Sequence, residues 1–315
     1  MSSSFWKSNL CSPSWISFFQ SWVSSSPPKL LHPGPSPKIQ TTPVASCILR
    51  RATATDIPLI PEFLERYFSP SSSCVCRIPV AALQNPNWEI YVVFSNSILV
   101  GTIVRKWIQN LHIHSVKWPT AAIVDFFCVH PAFKKKGIGR WLLSTLQNTP
   151  TPNAPPNAPL PPHLILWEGL QPSYPPLCIG FYYSKPILKK ENTTQQIPLT
   201  QEIWNSLMKS KSIWSEFSSQ AKEISAWKIS NEILLLSNSF HSSIHGPIAT
   251  ILYGSPLAIQ QFSESKSPWG VLLLPSSLFA SPPDASWSLD SAYQWISYNM
   301  IVPNLSIGDF PCISI

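Results

Sequence analysis

The sequence predicts an α+β fold: a mixed, mostly antiparallel sheet flanked by helices, with a second, smaller α/β lobe. Three observations predict it. The chain has 315 residues, about twice a typical domain, so two compact lobes are expected. From Trp88 to Val129 strand-like runs follow one another without a helix, and a single strand-helix-strand crossover comes after them, the order of an α+β sheet. Hydrophobic residues make up 44%, with 14 Trp, 15 Phe and 8 Tyr, enough to fill a core. Charged residues reach only 12% and glycine only 10 residues against 34 prolines, which excludes a coiled coil, an acidic disordered tail and a collagen-like repeat.

The elements follow in order. Residues 1–47 form an N-terminal arm, expected to be partly disordered, because 24–46 (SSSPPKLLHPGPSPKIQTTPVAS) is dense in Pro and Ser. The first lobe spans 48–198. A short strand at Ile48 leads to an amphipathic helix with Thr55 or Asp56 as N-cap, Pro58 in its first turn, and Ile60, Phe63, Leu64 and Tyr67 at helical spacing. Trp88 to Phe94 and Ile98 to Trp107 read as a hairpin turning at Ser95-Asn96-Ser97. LHIHSVKW and AAIVDFFCV read as two further strands, and Gly137 to Leu146 as a helix ending before Asn148-Thr149-Pro150. Residues 150–162 (PTPNAPPNAPLPP) are a Pro-rich insert that can be neither helix nor ladder, since proline removes donors every second or third position. HLILWEGL and GFYYSKPIL resume as strands. The second lobe, 199–315, reads as a helix over Gln201 to Phe217, strands in AWKISNEILLLSN, PIATILY and WGVLLLP, and a helix-like SAYQWISYNM.

The net charge of +7 comes from few acids (15) rather than many bases (22), so it does not argue for nucleic acid. Seven scattered cysteines without a CxxC point to free thiols in a reducing, cytoplasmic compartment, and no metal is expected. The remaining histidines show no metal spacing beyond His112-x-His114. No apolar run approaches the ~20 residues of a membrane span, and the N-terminal stretch lacks a clean small-residue cleavage site. A monomer is expected.

The informative stretch is Asp125-Phe126-Phe127-Cys128-Val129-His130-Pro131-Ala132-Phe133-Lys134-Lys135-Lys136-Gly137-Ile138-Gly139-Arg140. A buried strand ends at Val129, three lysines follow, and a helix opens at Gly137. Unsatisfied N–H groups at a helix start bind pyrophosphate, and glycines permit close approach. Alone, KKKGIG is equally the pattern of a tight turn with a solvated lysine face. A dinucleotide fingerprint is absent, since position 142 is Leu where a third glycine is needed, and no Walker loop is present.

Val129-His130-Pro131 followed by Lys134-Lys135-Lys136-Gly137-Ile138-Gly139 resembles the acyl-CoA-binding motif of the GNAT superfamily of N-acyltransferases, with Lys134 where the family has Gln or Arg. Over residues 88–188 the chain also resembles the N-terminal half of glycylpeptide N-myristoyltransferases, through FCVH, the basic loop and a later aromatic pair. The resemblance implies a GNAT-like fold in 48–198 and leaves 199–315 open as a degenerate second GNAT-like half. It implies an acyl-CoA co-substrate, myristoyl-CoA or acetyl-CoA, and an amine acceptor, a protein N-terminal glycine or a small molecule. Three readings stay open: an N-myristoyltransferase-like enzyme, a GNAT N-acetyltransferase, and a catalytically inactive binding module.

The resemblance also implies roles. The backbone N–H groups of Phe126 and Phe127 stand at the oxyanion-hole positions, where a fixed donor contributes on the order of 3 kcal/mol. Phe127, Cys128 and Val129 would pair with the pantetheine as an added strand. Lys134, Lys135, Lys136, Gly137, Ile138, Gly139 and Arg140 would hold the CoA phosphates. The general base is Ile315, as a terminal carboxylate, or Asp125, or Glu168. Asp125 could instead cap a backbone group or pair with Lys117. Tyr182 or Tyr183 would protonate the leaving thiolate, or wall the pocket. Cys128 reads as a small buried hydrophobe.

Overall fold

A computed structural model describes residues 28–30, 43–68, 74–151, 158–168, 178–187, 194–211, 213–219, 222–279, 281–298 and 300–301. The strands are β1 (Lys29–Leu30), β2 (Cys47–Arg51), β3 (Val75–Cys76), β4 (Trp88–Ser95), β5 (Ile98–Ile113), β6 (Val116–Val129), β7 (His163–Glu168), β8 (Cys178–Pro186), β9 (Gln195–Ile197), β10 (Ile213–Ser215), β11 (Ile224–Ile229), β12 (Glu232–Ser243), β13 (Gly246–Tyr253), β14 (Val271–Pro275), β15 (Ser288–Tyr298) and β16 (Met300–Ile301). The helices are α1 (Leu59–Tyr67), α2 (Val80–Leu83), α3 (Ile138–Asn148), α4 (Gln201–Met208) and α5 (Pro256–Ser263).

One 14-stranded sheet runs in the order β2-β4-β5-β6-β7-β15-β8-β14-β13-β12-β11-β9, with β10 added to β5 and β3 to β12. Among the described strands only β6/β7 and β13/β14 are parallel. Each parallel pair is joined through a helix, α3 or α5, as a crossover requires. The element order repeats: β2-α1-β4-β5-β6-α3-β7, then β9-α4-β11-β12-β13-α5-β14. The strand after each series is exchanged, β8 pairing with β14 and β15 with β7, and the two meet at the seam. The expected lobe border at 198/199 falls just after β9, which pairs with β11.

Alternation along the strands buries two layers. Ile90, Val92, Val104 and Ile108 pack under Ile60, Phe63 and Leu64 of α1. Tyr91, Val93, Ile103 and Val124 pack under Ile138, Leu142, Leu143 and Leu146 of α3. The hairpin turn at Asn96 and Ser97 has φ 48° and 66° at both residues, the mirror-image turn that matches strand twist.

Several expectations change. LHIHSVKW and AAIVDFFCV are not separate strands: β5 and β6 form one long hairpin turning at His114-Ser115. Asp56 does not cap α1, whose N-cap is Pro58. Its carboxylate accepts from Thr53 N and Oγ1 and pairs with Arg50 (Nη2 to Oδ1 2.9 Å), which pulls it well below the usual carboxylate range. The helix from Gln201 stops at Met208, and Ile213–Ser215 becomes β10 against β5, where long-range pairing outweighs local periodicity. Ser291–Tyr298, expected to be helix-like, is strand, because β7 and β8 each offer an edge to β15. Helix α5 went unread, although Ser255-Pro256 is a helix-start signal: Ser255 accepts from Ala258 N at 3.1 Å. Part of the N-terminal arm is strand, Lys29–Leu30 pairing with Met300–Ile301. Residues 152–157 of the Pro-rich insert lie outside the described residues. Among the described residues no helix is long and apolar enough to cross a membrane.

Candidate functional site

The site begins with an irregularity in β6. Val104 pairs with Asp125 and Thr102 with Cys128, so Ile103 alone faces Phe126 and Phe127. Phe126 takes φ +45°, a conformation a bulky L-residue adopts only where its surroundings impose it. Such a bulge shifts the side-chain alternation by one. Ile123 lies on the α1 face and Val124 on the α3 face, yet Phe126 and Cys128 are on the α1 face and Phe127 and Val129 on the α3 face. The same point marks the end of β6/β7 pairing. Those strands pair only over Ala122–Val124 and His163–Ile165, although β6 continues to Val129 and β7 to Glu168. Past Val124 and Ile165 the two strands run on without pairing to each other.

The loop after β6 runs through a 3-10 turn, Pro131–Phe133, into α3. His130 caps a 3-10 turn, its Nδ1 accepting from Ala132 N at 3.1 Å. Lys135 (φ +65°) and Gly137 (φ +91°) then reverse the chain into α3. Gly137 is the N-cap and no side chain caps the first turn, so the first-turn N–H groups have no side-chain acceptor at the positive helix end. Lys134, Lys135, Lys136 and Arg140 are exposed. Among the described residues none of the four is paired with a carboxylate. Gly139 is needed for contact, since a Cβ there would sit 3.1 Å from the Phe127 ring. The matching corner of the second half is closed to anions: Ser255 caps α5 and donates to the Glu232 carboxylate.

On the α1 face of the bulge lies a polar cluster that the sequence reading missed in part. Asp125 Oδ1 accepts from Phe126 N at 2.7 Å, and Oδ2 pairs with Lys106 Nζ at 2.8 Å. The expected pairing with Lys117 does not form, because Lys117 pairs with Glu216 at 2.7 Å. Lys106 is buried and its ammonium lies over the Trp88 ring at 4.3 Å. Glu223 and His241 arrive from the second half: burial pushes the Glu223 carboxyl up and the His241 imidazole down, and both feel the Asp125 charge. No motif marks these three; only the sheet register brings them to β6. Cys128 is buried and its thiol is pushed up to about 12 by desolvation, which leaves no thiolate for nucleophilic chemistry.

The two tyrosines separate. Tyr182 packs against the cluster holding Phe126, its ring 4.5 Å from that of Tyr293, whereas Tyr183 packs on the second-half core. The Glu168 backbone pairs with Tyr293 at the end of β7, but its side chain and the whole of Ile315 lie outside the described residues.

Neither protein-family profiles nor curated protein sequences give a match to this chain. Solved structures do. A Saccharomyces cerevisiae N-myristoyltransferase with bound myristoyl-CoA and inhibitors superposes with a TM-score of 0.69 at 9% identity, over 97% of this chain and 91% of that one. A second structure of that enzyme with bound myristoyl-CoA gives a TM-score of 0.64 at 10% identity, over 99% and 96%. With its mixed, mostly antiparallel sheet flanked by helices, the chain has the GNAT-like fold of those structures.

Proposed function

We propose that this protein is an acyl-CoA-dependent N-acyltransferase that passes a myristoyl group from CoA to the N-terminal glycine of a protein by direct attack of the amine. The observation that carries the reading is the coincidence of three features within residues 125–140: a parallel strand pair whose pairing stops, a bulge at that point, and a helix start with no side-chain cap next to four exposed cations that no carboxylate pairs among the described residues. The diphosphate sits on the Ile138, Gly139 and Arg140 amides, with Lys134, Lys135, Lys136 and Arg140 supplying charge. The pantetheine pairs along Phe127, Cys128 and Val129. The thioester carbonyl then lies at the bulge, where the Phe127 N–H serves the oxyanion. The Phe126 N–H already donates to Asp125, so the hole relies on the Phe127 N–H. Tyr182, on the Phe126 side, is the tyrosine that protonates the departing thiolate. The myristoyl chain is favoured over acetyl because the likeness to the myristoyl-CoA-bound structures spans nearly the whole chain. Cys47, Cys76 and Cys128 carry free thiols, and we place the protein in the cytoplasm.

Thermal-shift titration with myristoyl-CoA and with acetyl-CoA tests the reading. Stronger stabilisation by myristoyl-CoA, together with acyl transfer to a Gly-initiated peptide, is expected. Preference for acetyl-CoA would make the protein an acetyltransferase, and no response to either would leave a binding module.

A further inference from the structure

Asp125 stands one residue before Phe126, whose φ is +45°, and its carboxylate is held at both ends. Oδ1 accepts from Phe126 N at 2.7 Å, and Oδ2 pairs with Lys106 Nζ at 2.8 Å. With both oxygens engaged, Asp125 is poorly placed to take a proton from an amine. The amide it occupies is one of the two that the resemblance sets at the oxyanion hole. A carboxylate oxygen therefore already sits where a thioester oxygen would look for a donor. A backbone N–H has one proton to give, and a charged acceptor holds it more strongly than a neutral carbonyl oxygen does.

The contact is fastened by the ladder. Val104 faces Asp125 and Lys106 faces Ile123, so Lys106 is the diagonal neighbour of Asp125 on the same face of the sheet. Its side chain is only 8% exposed, against 34% for Asp125. The ammonium lies 4.3 Å from the centre of the Trp88 ring and 5.0 Å from that of Phe126. A buried ammonium needs a counter-charge, and Asp125 supplies it. The lysine is thus locked between two rings, and the carboxylate is pinned from the buried side against the Phe126 amide.

We propose that the Lys106–Asp125 pair is a brake built into the oxyanion hole: the carboxylate takes the Phe126 N–H out of use, and Lys106 is the positioning residue that keeps it there. This rests on the acyl-transfer reading above. In the addition step the neutral amine nitrogen bonds to the thioester carbon, and the carbonyl π pair moves to the oxygen. Collapse re-forms C=O and breaks C–S, and one amine proton goes to the departing sulfur. Amine and acyl-CoA thus give amide and CoA thiol.

The brake acts on the first of these steps in two ways. The developing oxyanion meets the Phe127 N–H but not the Phe126 N–H, and a preorganised donor at this point is among the larger contributions to such a reaction. Its new negative charge also forms beside a carboxylate, and like charges repel. Removing that carboxylate frees a donor and removes a like charge, while it strips Lys106 of its partner. Rate and stability should then move in opposite directions.

The test compares wild type with Asp125→Ala and with the double variant Asp125→Ala, Lys106→Met, which leaves no buried ammonium unpaired and serves if the single variant does not fold. Initial rates with myristoyl-CoA or acetyl-CoA and a Gly-initiated peptide give kcat and KM, and thermal shift reads donor binding and stability separately. The expected result is a kcat raised about tenfold or more with the donor KM within about twofold of wild type. The single variant should also melt at a lower temperature, a loss that a purely structural role would carry over into the rate. A kcat at or below that of wild type, in a variant that still binds donor, overturns the brake and leaves the acyl-transfer reading standing. Transfer by neither wild type nor variants, with either donor, overturns that reading itself.

Discussion

Lys106 holds Asp125 at the β6 bulge, Nζ to Oδ2 2.8 Å, while the other oxygen of the same carboxylate accepts from the next backbone N–H at Phe126. Because the bulge turns Asp125 and Phe126 to one face, this buried ammonium fixes both the strained φ of Phe126 and the direction of the neighbouring amides. Lys106→Met leaves the half-buried Asp125 carboxylate without its cation and should cost about 1 kcal/mol in denaturant unfolding. The double variant Lys106→Met, Asp125→Asn should regain much of it. An additive double-mutant cycle would show the two side chains to be uncoupled.

The basic loop lends itself to a clean test because its side chains are exposed and support no described ion pair. Replacing Lys134, Lys135 and Lys136 by Ala should weaken CoA binding at least tenfold at low salt and flatten its salt dependence. The melting temperature without ligand should hardly move. Calorimetric titration at two ionic strengths measures both.

Helix α3 is held at its far end by a buried arginine. Arg105 Nη1 donates to the carbonyls of Leu146 and Thr149, at 3.0 and 2.9 Å, and Nε to Glu89 at 2.9 Å. The guanidinium thus satisfies carbonyls that a helix end leaves open. Glu89→Gln should destabilise the fold by about 3 kcal/mol. Arg105→Met should do so and also loosen donor binding, since the helix start at Gly137 would lose its anchor.

Acid stability should fall in two stages. His163 is buried, its imidazole held down to about 3 by desolvation and by Arg105. Its folded-state value lies below the unfolded one, so its contribution is intact above about pH 6.5 and declines by about 1.4 kcal/mol per pH unit as pH falls below that. Asp56, depressed by Arg50 and Thr53, contributes fully above about pH 4 and loses its share only below it. Denaturant midpoints at pH 7.5, 5.5 and 3.5 read both. His163→Gln should remove the first stage and Asp56→Asn the second.

The sequence by itself determined what depends on neighbours along the chain. The alternation in β4 to β6, the Gly137 helix start, the lysine run and the fold class were all legible, because period-2 burial and turn chemistry are written locally. What the tertiary structure decided depends on partners far away. Ser291–Tyr298 is strand only because two edges meet it, and Ile213–Ser215 leaves its helix only because β5 offers a ladder. The bulge that sets Asp125 and Phe126 on one face is a mismatch of register between β5 and β6, which neither strand reveals alone. Lys106, Glu223 and His241 lie far apart in sequence and carry no motif. They come near one another because the second half joins the sheet of the first, and burial there pushes the Glu223 carboxyl up and the His241 imidazole down.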